Sequence, residues 1–156
     1  MNNYFSQVND DERKKYYEFS LDKESAHHIN CDLRALFDKR LNELNIVEKC
    51  KEFKGKFKNY KGNDESKNEY KRLYNELIDE YNNIKDKVNE MWTFDYDLIK
   101  TLEFKSDSIY SKIGKNGFYN MNKEILNNEV DSYIKFDKDL IIIKNKLNNL
   151  INLISF

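Results

Sequence analysis

Residues 66–92 read SKNEYKRLYNELIDEYNNIKDKVNEMW, and this stretch decides the fold class. Its apolar positions, Tyr70, Tyr74, Leu77, Tyr81, Ile84, Val88 and Met91, recur at alternating steps of four and three. Side chains so spaced share one face of an α-helix, whereas a strand face repeats every second residue. Leu73, Ile78 and Trp92 widen the stripe, so the face should bury deeply and not form only a narrow seam. Ser66 and Glu69 match a capping box that would start this helix.

Upstream, Ser25 is placed to cap a helix over 25–57, with apolar residues at Ala26, Ile29, Leu33, Leu36, Phe37, Leu41, Leu44, Val47, Cys50, Phe53 and Phe57. From Leu44 the step is repeatedly three, so the stripe drifts around the helix and a bend or break is expected near Asn45. Further upstream, Asp10, Asp11 and Glu12 suit the start of a short helix over 11–21. Downstream, residues 95–113 are irregular in pattern, with Asp95 and Ser106 or Asp107 as starts of short helical pieces. The final segment carries Tyr133, Phe136, Leu140, Ile143, Leu147, Leu150 and Ile154, a heptad within a helix over 121–154. A face this apolar must pack inside the bundle or against a second copy of the chain, so 133–154 is also a candidate homo-oligomer seam.

The chain has no proline and four glycines, which gather in two joints, Gly55 to Glu65 and Gly114 to Gly117. With 156 residues it has the length of one domain. The expected architecture is all-α: an up-down bundle of three long amphipathic helices (25–57, 66–92 and 121–154) with shorter helices at 11–21 and within 95–113.

Composition excludes several classes. Two cysteines, Cys31 and Cys50, cannot make a disulfide scaffold. The longest aliphatic run, Leu140 to Ile143, falls far short of the roughly 20 residues that span a bilayer. The first residues lack the basic and apolar regions of a signal peptide, so a cytoplasmic, membrane-free protein is expected. A mean hydropathy of −0.91 raises the question of disorder, and ten Phe with eleven Tyr answer it in favour of a packed domain. The excess of Asn and Lys, 22 and 23 residues, is a codon signature of an AT-rich genome such as a low-GC bacterium, its phages or a malaria-type parasite.

No pattern of catalytic residues, glycine-rich phosphate loop or cofactor motif is present in the sequence. His27, His28 and Cys31 are the only cluster with metal-ligating chemistry, and two ligands on one helix face do not complete a zinc site. A His/Cys metal-dependent enzyme is accordingly the weakest of three functional classes, and no metal, cofactor or catalytic residue is assigned. Charge says more. Net charge is −1, yet Lys49, Lys51, Lys54, Lys56, Lys58 and Lys61 crowd one segment with Phe53, Phe57 and Tyr60 between them and only Glu52 opposed. Such a segment suits a nucleic-acid contact, lysines on phosphates and rings on bases, as in a small helical subunit of a ribonucleoprotein. The competing arrangement turns the rings to the core and the lysines to solvent. Residues 64–103 reverse the sign, with eleven acids against six bases. Tyr96, Tyr110 and Tyr119 fall in irregular segments, where exposed tyrosines make good protein-binding anchors. The leading expectation is therefore a non-enzymatic protein-protein interaction module, an adaptor or inhibitor of a larger partner, with these tyrosines, Tyr60 and the lysines of 49–61 as contacts.

Overall fold

The structure, a computed structural model, describes residues 14–155. Within them lie four α-helices and no strand: α1 (Ala26–Leu44), α2 (Ile46–Phe57), α3 (Asp64–Phe104) and α4 (Ser106–Leu153). The chain is the expected all-α bundle, and the helix boundaries show how its joints are made.

The break near Asn45 is present. Asn45 takes the left-handed conformation (φ 61°, ψ 32°) and donates its backbone N–H to the Asn42 carbonyl, ending α1 and starting α2 in one residue. A short polar side chain tolerates that region better than most. The break re-aims the drifting stripe, so that Leu33, Phe37 and Leu44 before it and Ile46 and Phe53 after it all reach one core.

Other boundaries differ from the sequence reading. The third helix does not stop at Trp92; α3 continues to Phe104 through the region read as irregular, and Asp95 lies inside it and not at a cap. Its stripe thins there to Ile99 alone among fully buried residues, which is why the periodicity faded while the helix did not. α3 also starts earlier than the capping box implied, since the Asn63 side chain accepts from the Ser66 N–H at 2.8 Å. The last helix begins at Ser106 and not near Met121. Its glycine joint is a kink, with Gly114 at φ 79° and ψ 170°. Ser25 does precede α1, but its hydroxyl faces His27 Nδ1 (3.3 Å) and caps no backbone N–H. Of the expected 11–21 helix, residues 14–16 are helical and the chain leaves the helix at Tyr17; residues 11–13 lie outside the described part.

α4 packs on all three other helices, and α1 also packs on α3. The bonds Asn30 to Glu129, Arg40 to Asp137 and Lys56 to Ser155 span 99, 97 and 99 residues, so α1 and α2 together run parallel to α4 in nearly constant register. α3 runs the other way: Trp92 meets Asn30 while Tyr74 meets Phe53. The bundle is up-down-up, its first member broken at Asn45. Tyr133 forms the centre of the core, stacked on Phe37 (4.9 Å) and on Tyr17 (5.7 Å). Of the C-terminal heptad, every residue except half-buried Phe136 is buried within this one chain. Each such Leu or Ile contributes about 1.5–3 kcal/mol by leaving water.

Candidate functional site

Three places hold chemistry: a polar line through the core, a cleft at the α3–α4 end, and the basic segment. The polar line follows from the heptads. Asn30 and Arg40 of α1 and Glu129, Asp137 and Lys144 of α4 occupy core positions and are each no more than 5% exposed. Arg40 meets Asp137 as a fork, Nε donating to Oδ1 at 2.8 Å and Nη2 to Oδ2 at 2.9 Å. Two parallel bonds fix the register of α1 on α4. Around Lys144, burial first and then the charges of Lys49 and Arg40 hold the ammonium's pKa down.

Glu129 lies 9 residues before Lys138 on the same helix, and its Oε1 accepts from Asn30 Nδ2 at 2.6 Å. Burial, then a hydrogen bond and the charge of Asp95, push its carboxyl up to about 9. Asp95 is raised too, by burial. Two facing acids cannot both ionise here, so Glu129 keeps a proton. Burial first and then the charge of Glu129 push the Tyr133 hydroxyl up, whereas Tyr133 acts on Glu129 in the lowering direction; Tyr133 Oη and Glu129 Oε2 have no partner at regular hydrogen-bond geometry. Trp92 closes the level by donating from Nε1 to the Asn30 carbonyl at 3.2 Å, with Arg34 5.9 Å from its ring.

The cleft, about 340 Å³, is a product of the Gly114 kink, which turns the start of α4 back so that Tyr110 packs edge-on against Phe118 at 5.0 Å. Ile99, Tyr110, Phe118, Tyr119 and Asn122 line it together with Glu103 and the segment Leu21 to Ala26. Asn122 is 3% exposed, and its Oδ1 is buried without a hydrogen-bond partner. Two of the four tyrosines singled out from the sequence, Tyr110 and Tyr119, thus converge here. Tyr96 lies elsewhere, 5.2 Å from the Trp92 ring.

In the basic segment the rings turn inward. Phe53 stacks on Tyr74 (4.3 Å) and Phe57 (5.3 Å), Phe57 on Tyr60 (6.3 Å), and Tyr60 meets Tyr70 (5.7 Å), a ladder that closes the α2–α3 joint. Lys49 and Lys56 pair with Glu52, and Lys51 with Glu48, so the segment is less bare than its sequence. Lys54, Lys58 and Lys61 are exposed. His27 faces Glu103 at 3.4 Å, and among the described residues no group of three or more His, Cys, Asp or Glu could hold a metal ion. Cys31 and Cys50 are free and half-buried, with Cys50 raised by burial beside Tyr74. No helix among the described residues is long and apolar enough to cross a membrane.

Sequence reasoning missed the buried acids and the two exposed phenylalanines, Phe94 (68%) and Phe104 (90%). A signal for the former existed: 126, 130, 133, 137, 140, 144 and 147 continue the 4-3 spacing straight through Asp137 and Lys144. Comparison with known protein families, curated proteins and solved structures finds no match for this chain.

Proposed function

We propose that the chain is a helical protein-binding module, an adaptor or inhibitor, that meets its partner with the α3–α4 end of the bundle. The observation that supports this is the exposure of Phe104 (90%), Phe94 (68%) and Ile113 (50%), all within about 17 Å of the Lys105 turn along their helices. Aromatic side chains left in water near one another are what interface cores are made of. Half-buried Tyr96, Tyr110 and Tyr119 lie on the same halves of α3 and α4. A nucleic-acid contact through Lys54, Lys58 and Lys61 is the second reading; with Phe53, Phe57 and Tyr60 stacked inward it would rest on phosphate charge and not on base stacking.

The test is capture of partners from the native source by three forms of the immobilised chain: wild type, Phe94→Asp/Phe104→Asp, and Lys54→Glu/Lys58→Glu/Lys61→Glu. Loss of a stoichiometric protein partner in the phenylalanine variant alone, with an unchanged thermal melt, supports the module. A partner set indifferent to that variant sinks it, and a salt-sensitive nucleic-acid complex lost only in the lysine variant replaces it with the second reading.

A further inference from the structure

Asn122 is in an expensive place. Its side chain is 3% exposed, its Oδ1 meets no donor among the described residues, and a leucine, branched in the same way, would remove the desolvation cost that an unpaired amide oxygen carries. The empty space beside it is the cleft that it lines with Ile99, Tyr110, Phe118 and Tyr119. The torsion of an asparagine amide is soft, so a modest rotation presents the oxygen to whatever enters.

Charge narrows what that is. Asp22, Glu24 and Glu103 line the cleft against Lys23 alone, a formal excess of two negative charges. The start of α1 at Ala26 opposes this with only about half a positive charge. The rings add to the preference, since an aromatic face attracts a cation; Lys115 Nζ already lies 5.8 Å from the Tyr119 ring, which leaves Tyr110 for an incoming one. A volume of about 340 Å³ admits a group of a few heavy atoms.

We propose that this cleft binds an organic cation, an alkylammonium or guanidinium on a short apolar stem, whose N–H donates to the Asn122 amide while its charge faces Glu103, Asp22 and Glu24. The inference does not depend on the protein-binding reading, because the cation can arrive as a free amine or as a lysine or arginine side chain of another protein.

The experiment is an NMR titration of the full chain with n-butylammonium, with the neutral alcohol 1-pentanol, one carbon longer, and with the capped peptide acetyl-Gly-Lys-Gly-amide. Saturable shifts confined to Tyr110, Phe118, Tyr119 and Asn122 are expected with butylammonium at millimolar concentration, and only weak, unsaturated ones with pentanol. Asn122→Leu should bind about tenfold more weakly, the loss of one hydrogen bond to a charged group, with a melting temperature equal to or above wild type. Should that variant fail to fold, Glu103→Gln carries the test, with severalfold weaker binding and a flatter salt dependence. A peptide that outbinds butylammonium assigns a protein side chain as the cation, and the reverse assigns a free amine. Equal response to pentanol and butylammonium, or binding that Asn122→Leu and Glu103→Gln both leave unchanged, overturns the proposal.

Discussion

At the scale of single residues, the core carries its polar groups at two levels with opposite consequences. Arg40 and Asp137 satisfy one another, so removing one partner strands a buried charge. Asp137→Ala is expected to lose about 3–5 kcal/mol in chemical denaturation, whereas Arg40→Met with Asp137→Leu should unfold near the wild-type midpoint. Glu129 behaves differently, because its carboxyl is raised from 4.5 to about 9 on folding. A raised folded value means that the native state holds a proton the unfolded chain releases. The contribution is whole below about pH 4.5 and declines as pH climbs toward 9. Glu129→Gln, the same shape without the titration, should flatten that decline and exceed wild-type stability at about pH 8.5, measured by urea midpoints across the window. A variant that keeps the wild-type slope would show that the proton resides elsewhere. Asn30, Arg40, Asp137 and Lys144 stand on heptad positions, but a stripe judged by its apolar members passes over the polar ones that share its face.

At the scale of elements, the sequence was most legible where burial is one-sided. The 4-3 stripe from Tyr70 to Met91 and the drift at Leu44 both follow from geometry that the chain obeys, and the latter located Asn45. It was least legible in 93–118, where α3 loses most of its fully buried face while keeping its hydrogen bonds, and where a break between helices needs neither glycine nor proline, only the turn at Lys105. The Gly114 to Gly117 joint was placed correctly: Gly114 leaves helical geometry, and the two helical pieces of α4 meet at that kink. Only glycine holds φ 79° with ψ 170° at ease, so Gly114→Ala should cost about 1–3 kcal/mol and weaken the packing of Tyr110 on Phe118. Gly117, whose added Cβ would come within 2.9 Å of the Ile113 side chain, should tolerate alanine better than Gly114 because a side-chain shift relieves the contact. Thermal melts of the two single variants check the order.

At the scale of the molecule, the charge split of the sequence does not survive as two bare faces. Glu48 and Glu52 absorb three of the six lysines, and Arg72 is held between Glu69 and Glu76 within α3 itself. Of the candidate contacts, Tyr110 and Tyr119 came together at a cleft that depends on the kink, a relation no spacing announces. The heptad of α4 is spent on the chain's own core, so the melting temperature should be independent of protein concentration over a hundredfold dilution, about two decades; a rise with concentration would point to a second copy. The near-constant register of 97 to 99 residues between α1–α2 and α4 has a consequence for how the protein is made. During synthesis Ile29, Leu33, Phe37 and Phe53 leave the ribosome well before the α4 surface that seals them, which follows 97 to 99 residues later. Until α4 emerges the chain can close only the contacts of α1 and α2 with α3, and the earliest helices are exposed longest to chaperones and to one another.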